Sequence, residues 1–548
     1  MKPRPYQVDA VQSIYKYFEG NSGNPILVMP TGTGKSVVIG MFAAEVICKW
    51  PGQRIMVVTH VKELVRQNHD KLKQLWSHAP CGIYSAGLKQ RDTMHPILFA
   101  GIGSVYKRPA EFGCVNLLII DEAHLVSPND ETKYQQFIKA LKEVNPHLKV
   151  IGLTATPWRM GVGLITTDGI FTDICYDIAK MSEFNKLLEE GYLSPLIPKH
   201  PKTILDVSGV HLRGGDFIES ELQAAVNKDS VTEAALAEFV EYGKDRHKWL
   251  VFASGVDHAI AICDMLNDKY GVPTTVIHGK LSDAERDQRL ADYHAGKYVC
   301  AVNNNILTTG FDAPTIDYIG ILRPTMSTNL WVQILGRGTR PVYADGFDLD
   351  TTEGRLAAIA AGQKQNCLVM DFAGNTMRLG PINDPVIPRK KGEKGGEAPV
   401  KLCGTCGTYN HASLRFCCAC NAEFTFTTKL KVEAATGDIV KREEPPQVTA
   451  FQVDTVVYNM HHKDGKPPMI KVDYYCGIRK FTEYVCPQHE GYALRKAREW
   501  WRLRSPVQMP ETTSECLALT NSLTVPAELD VWVNLKYPQI MNIRFHEK

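Results

Sequence analysis

What this chain lacks narrows the field before any motif is read. It has no long apolar run: nothing approaches the ~20 residues that cross a bilayer, and the opening Met1-Lys2-Pro3-Arg4-Pro5 holds no apolar leader. The expectation is a cytoplasmic protein with no membrane partner. It has no charge excess, since 62 Lys+Arg stand against 60 Asp+Glu. A basic whole-chain tail is thereby excluded, and any surface for a polyanion must be local. Low-complexity blocks and repeats of solenoid period are absent. No second cluster of carboxylates suggests a nuclease metal site. Cysteine is not scarce at 15 residues, yet Cys48, Cys114, Cys263 and Cys367 stand singly in apolar stretches. Buried reduced thiols explain these better than disulfides. At 548 residues the chain is too long for one core, and three or four domains are expected.

What is present begins with Pro30-Thr31-Gly32-Thr33-Gly34-Lys35-Ser36, between the apolar run Pro25–Met29 and a helical stretch, Val37–Ile47. A strand feeding a glycine-rich turn and then a helix is a recipe for cradling phosphate. The glycines let successive N–H groups point inward, the helix N-terminus adds positive potential, Lys35 a point charge, and Ser36 a hydroxyl for Mg2+. The first glycine of the G-x-x-x-x-G-K-S pattern is missing, its place taken by Met29. Upstream, Tyr6 and Gln7 follow Arg4 and precede a helix over Val8–Phe18. A glutamine amide can both donate to and accept from an adenine edge, and a tyrosine or arginine can stack on the base.

Short apolar runs then alternate with helical stretches: Ile55–Thr59, Ile97–Ala100, Leu117–Ile120 and Val150–Leu153. Such strands predict a parallel sheet covered on both faces, with ligands at its carboxyl edge. Leu117–Ile120 runs into Asp121-Glu122-Ala123-His124, where Asp121 can hold Mg2+ and Glu122 can orient and deprotonate an attacking water. Val150–Leu153 runs into Thr154-Ala155-Thr156, whose hydroxyls can bond carboxylates or phosphates. Lys62 and Arg66, on the helix after Ile55–Thr59, suit a polyphosphate backbone. A second alternating set follows: Trp249–Ala253, Thr274–Ile277, Tyr298–Val302, Tyr318–Leu322 and Cys367–Met370.

Taken in order, Tyr6-Gln7, Gly32-Thr33-Gly34-Lys35-Ser36, Asp121-Glu122-Ala123-His124 and Thr154-Ala155-Thr156 resemble motifs Q, I, II and III of superfamily 2 helicases of the DEAD/DEAH-box kind. Thr308-Thr309-Gly310-Phe311-Asp312-Ala313-Pro314 resembles motif V. Gln333-Ile334-Leu335-Gly336-Arg337-Gly338-Thr339-Arg340 matches motif VI. The resemblance implies two tandem RecA-like (P-loop) lobes with ATP between them. Three places apart on a helix, Arg337 and Arg340 would share a face and offset charge on a transferring γ-phosphoryl group. It also implies backbone contacts for Thr308 and Thr309, beside Lys62 and Arg66. Val61-Lys62-Glu63-Leu64-Val65-Arg66-Gln67-Asn68 and Met370-Asp371-Phe372-Ala373-Gly374-Asn375 further resemble the bacterial RadD-like family of DNA-repair ATPases, over roughly residues 1–377. That kinship implies DNA as the track, single-stranded or branched, and replication or repair proteins as partners. An RNA helicase and a nucleotide-gated binding protein that does not step are the rival readings.

Beyond the motor, Pro381–Pro399, with Arg389-Lys390-Lys391, has the composition of a tether. Cys403, Cys406, Cys417 and Cys420 then form two C-x-x-C pairs able to supply four thiolates to a structural Zn2+, with Cys418 out of register. The segment holds too few apolar residues for a core of its own, so metal would supply its stability. Farther on, strands Phe451–Tyr458 and Met469–Cys476 flank the turn Lys463–Lys466, and Arg479–Val485 follows. A helix over Glu490–Arg504 places Leu494, Ala497 and Trp501 on a core face. Arg495, Arg498 and Arg502 lie on its neighbour, either solvated or against phosphate. The expected architecture is α/β: lobe one over 1–200, lobe two over 201–377, a linker over 378–400, a zinc ribbon over 401–427, and an accessory α+β domain over 428–548.

Overall fold

The computed structural model describes residues 2–127, 132–159, 163–167, 169–213, 216–226, 229–304, 306–307, 313–387, 398–424, 447–463, 465–477, 479–534 and 538–546. Most of the expected tether (388–397) and the motif V pair Thr308 and Thr309 lie outside them. The chain divides into two units, Met1–Phe426 and Thr427–Lys548. Among the described residues, no helix is long and apolar enough to cross a membrane.

The first unit is built on two parallel sheets. In one, Pro25–Val28, Lys149–Thr154, Leu117–Asp121 and Ile55–Thr59 lie side by side, flanked by Asp173–Asp177 and by Ile97–Gly101 and Cys81–Ser85; a short antiparallel Gln90–Arg91 closes the edge. The central strands are buried on both faces because helices cover both. Pro5–Gly20, Lys35–Lys49 and Lys62–Leu75 pack Ile14, Phe42 and Leu72 onto one face. Lys133–Val144 packs Phe137 and Leu141 onto the other. The carboxyl ends of the central strands therefore meet along one edge, where Pro30–Ser36, Asp121-Glu122 and Thr154–Thr156 all fall.

The second sheet runs Leu196–Lys199, Cys367–Asp371, Tyr318–Leu322, Trp249–Ala253, Cys300–Asn303 and Thr274–Ile277, all parallel. The expected division at 200/201 thus falls too late, since Leu196–Lys199 already belongs to this sheet. As an edge strand it tolerates Pro198, and that proline hid it from a search for continuous apolar runs. Cys81–Ser85 and Asp173–Asp177 were equally illegible, because each mixes polar and small residues and is a strand only by virtue of its neighbours. The expected single strand Phe451–Tyr458 is two, Val448–Gln452 and Thr455–His461, in different sheets. The switch occurs between consecutive residues: Val453 N–H donates to Ala527 O, and Asp454 N–H to Tyr475 O.

One contact in the second sheet is tight enough to test. Phe239 stacks on Tyr318 with centroids 4.3 Å apart, and Trp249 meets both edge-on. A Cβ at Gly320 would lie 2.6 Å from the Phe239 ring. Gly320→Ala must therefore push this stack apart, an overpacking cost of about 1–3 kcal/mol. The expected outcome is a lower thermal-unfolding midpoint for the first unit; an unchanged midpoint would refute the packing.

Candidate functional site

The glycine-rich turn has the backbone that its sequence demands. Gly32 and Gly34 take φ of 92° and 86°, the left-handed region where only glycine is unstrained, and Gly34 caps the helix Lys35–Lys49. Gln7 Nε2 donates to Thr33 O at 2.8 Å, and Tyr6 OH donates to the same carbonyl at 3.0 Å. Gln7 Oε1 accepts from Arg4 N–H. Both side chains are buried, and Tyr6 packs edge-on against Tyr192. Tyr6 and Gln7, expected at the adenine, both hold the turn through Thr33 O, and Gln7 also borders the cleft.

At the end of Leu117–Asp121, Asp121 is buried, its carboxylate accepting Asn68 Nδ2–H at 3.0 Å and the Glu122 N–H at 3.0 Å. Burial raises its pKa and the neighbouring Glu122 adds to that, while Lys35 and the two hydrogen bonds oppose them. Glu122 itself sits in the left-handed region, φ 56° and ψ 53°, a conformation that costs a non-glycine residue roughly 1–3 kcal/mol. Its buried Oε2 lies 3.4 Å from His124 Nδ1 without a hydrogen bond, and the residue borders the cleft. His124 is fully enclosed, and burial pushes its pKa down to about 3, so the ring is neutral. Thr154 Oγ1 donates to Thr156 O, and therefore accepts from His124 Nδ1–H at 2.9 Å. The Thr154 hydroxyl, expected on a carboxylate or phosphate, is instead a link between the Asp121–His124 turn and the next strand.

The second lobe reaches this edge through its arginine motif. The helix Thr328–Leu335 ends before the arginines, so Arg337 and Arg340 do not share a helix face as expected. Arg337 lies within, and Arg340 just after, a turn at Gly336–Gly338 whose glycines allow close approach. A Cβ at Gly336 would lie 2.5 Å from Thr31 Cβ, and one at Gly338 would lie 2.7 Å from Cys367 Sγ. Thr339 Oγ1 donates to Thr31 O at 3.2 Å. Gln333 is buried at the end of the same helix. The result is a cleft of ≈ 840 Å³ bordered by Thr31, Gly32, Thr33, Gly34, Lys35, Ser36, Asp121 and Glu122 from one lobe and by Arg337 and Arg340 from the other. A glycine-rich turn, a lysine, two carboxylates and two guanidinium groups suit a magnesium triphosphate.

Three further residues border or build this cleft without having been singled out. Asn68 lies on the buried stripe Leu64-Val65-Asn68-Leu72 of its helix, and a polar residue interrupting an apolar stripe was the available signal. Tyr192 and Arg355 had none: the guanidinium stands 4.0 Å over the ring from a position far along the chain and donates to Glu190 O. Of the expected backbone contacts, Lys62 is ion-paired across the lobes with Asp283 at 2.6 Å, and Arg66 is exposed.

The comparisons with known proteins agree with this geometry. Residues 1–159 match the family described as "Type III restriction enzyme, res subunit", and residues 232–341 match "Helicase conserved C-terminal domain". The chain carries the two domains of a superfamily 2 helicase core. That core is 26% identical over 396 residues to irc3 of Schizosaccharomyces pombe, named as a mitochondrial ATP-dependent helicase; the match covers 71% of this chain and 60% of irc3. It is 23% identical over 372 residues to the EcoAI endonuclease subunit of a type I restriction enzyme from Escherichia coli, covering 62% of this chain and 44% of that subunit. An HsdR fragment from Vibrio vulnificus superimposes with a TM-score of 0.48 at 20% identity, over 68% of this chain and 65% of the fragment. The matches support the helicase superfamily.

After the helicase core, Cys403, Cys406, Cys417 and Cys420 converge, their sulfur atoms all within 4.8 Å of one another. The Cys403–Cys420 and Cys406–Cys417 separations are 3.7 and 3.6 Å. A tetrahedron with Zn–S of ≈ 2.3 Å has edges of about 3.8 Å, so the donor set fits zinc with no position left for water. Cys418 lies outside the set, its N–H donating to Asn410 Oδ1. The hairpin Val400–Leu402 and Tyr409–His411 that carries these cysteines abuts the second sheet: His200 N–H donates to Gly407 O at 2.7 Å. Protein purified without added metal is expected to carry about one equivalent of zinc by elemental analysis, with chelation exposing four reactive thiols. Absence of zinc, with the thiols reactive from the outset, would rule the site out.

Proposed function

We propose that this chain hydrolyses ATP to drive movement along, or remodelling of, DNA. The observation that carries the proposal is the single cleft that Lys35, Asp121 and Glu122 share with Arg337 and Arg340. The Thr31–Ser36 backbone and Lys35 hold the triphosphate; Tyr6 and Gln7 fix Thr33 and lie on the side proposed for the adenine. Ser36 and Asp121 would hold Mg2+, which would supply charge to offset the phosphate oxygens. Asn68 keeps the Asp121 carboxylate aimed. Glu122 orients a water and takes its proton as the oxygen attacks the γ-phosphorus; the bond to the β-phosphate oxygen breaks, and ADP and phosphate leave. Arg337 and Arg340 offset the charge spread over the transferring group, with Gln333 anchoring their turn. Because these arginines belong to the second lobe, ATP favours the clasped arrangement and its products do not.

A polynucleotide gripped by both lobes would be pulled once per cycle. Lys62, Arg66, Thr308 and Thr309 are the proposed backbone contacts, and Lys62 must exchange Asp283 for phosphate to serve. DNA is favoured by the type I restriction relative, by the restriction-enzyme description of the first domain, and by the motifs that resemble RadD-like proteins. A role in repair, recombination or replication follows from that last resemblance. A nucleotide-gated clamp would not need Glu122 as a water activator.

Glu122→Gln is expected to lower kcat by roughly 10²–10⁴ while leaving ATP binding within a few-fold. ATP turnover measured with single-stranded DNA, duplex DNA and RNA of equal length should be stimulated most by DNA. Unchanged turnover in Glu122→Gln would refute the base, and stimulation by RNA alone would refute the track.

A further inference from the structure

The second unit buries one face of a sheet and leaves the other to solvent. Strands Thr455–His461, Met469–Cys476 and Arg479–Val485 pair antiparallel. Their inner residues, among them Val472, Tyr474 and Phe481, pack against Trp500 and Trp501. Trp501 is thus core, as its place on the helix implies, its indole N–H donating to Val507 O. The exposed arginines Arg495, Arg498 and Arg502 lie on the helix that closes this inner face.

The outer face is neither apolar nor evenly charged. Side chains alternate along a strand, so the register brings Lys471 beside Tyr484 and Tyr475 beside Lys480 on the outer side. Tyr475 and Tyr484 are 40% and 48% exposed, far more than tyrosines in a finished core. The His461 ring stands 5.1 Å from that of Tyr484. Asp473, the acidic residue among them, accepts from Thr482 Oγ1 and pairs with Lys471 at 3.0 Å and Lys480 at 3.9 Å. It holds both ammonium groups between the rings. Lys463 and Lys466 are exposed at the hairpin that follows His461.

We propose that this open face is a platform for single-stranded DNA, with bases stacking on Tyr475 and on the Tyr484–His461 pair and phosphates passing Lys471 and Lys480. Exposed rings interleaved with lysines on a sheet are the chemistry of sequence-tolerant single-strand binding, since every base has a π-face. The two stations are four residues apart in register, about 13 Å along the strand, so successive segments of one strand occupy them. A duplex keeps its bases stacked inside and cannot use them. The choice of DNA as occupant rests on the proposed track; the platform's chemistry does not.

The test uses the full chain and a fluorescent oligo(dT), read by anisotropy without nucleotide. Tyr475→Ala/Tyr484→Ala is expected to weaken single-strand binding roughly tenfold or more and to leave duplex binding and basal ATPase unchanged. Tyr475→Phe/Tyr484→Phe retains the affinity, because the ring and not the hydroxyl stacks. Lys471→Gln/Lys480→Gln lowers the salt slope by about 1.4. Unchanged affinity in the alanine pair, or equal losses in the alanine and phenylalanine pairs, overturns the platform. If the alanine pair loses affinity but DNA fails to stimulate ATPase in the unaltered chain, the platform stands and the motor reading falls.

Discussion

The structure depends on the approach of Gly336 to Thr31. Each lobe has its own sheet and its own cores. What joins them at the nucleotide edge is a turn that fits against the phosphate loop because Gly336 has no side chain, together with the Thr339–Thr31 hydrogen bond. Further cross-lobe links include the ion pairs Lys62–Asp283 and Glu63–Arg286, the Tyr343 hydroxyl on Gly191 O, Asn329 Nδ2–H on Trp158 O, and the buried Arg355 guanidinium on Glu190 O and over the Tyr192 ring. A ligand that bridges the two lobes favours the arrangement in which both can touch it.

The polar interior serves this edge. Beneath the cleft, Asn68 donates to Asp121 and His124 is hydrogen-bonded to Thr154, two buried pairs. Glu122, in a strained backbone conformation, stands beside them where reactivity is wanted.

Much of this was legible because the chemistry is local. The glycine-rich turn, the Asp-Glu pair at a strand end and the paired cysteines are each a short run whose spacing states its use. The two parallel sheets were legible as continuous apolar runs. Failures came where a residue's role is set by distant partners. Tyr6 and Gln7 read as base contacts, and the hydrogen bonds they share to Thr33 O leave no mark in the sequence. The Arg337–Arg340 spacing fits a helix, yet glycines on either side of Arg337 turn the chain so that it can meet Thr31 and Cys367. Leu196–Lys199 carries a proline that only an edge position allows, and the switch of sheets at Val453–Asp454 leaves no mark on the pattern of alternation. Sequence periodicity reports what an element buries, and not which sheet receives it.

The central claim is that guanidinium groups of one lobe act on a triphosphate held by the other. Its most direct measurement is single-turnover ATP hydrolysis by Arg337→Lys and Arg340→Lys with DNA in excess. An arginine finger is worth ~10³–10⁵ in rate. The expected result is a fall of about 10³ or more in at least one variant, with ATP affinity changed only a few-fold. Hydrolysis within about twofold of the unaltered chain in both variants would contradict the account.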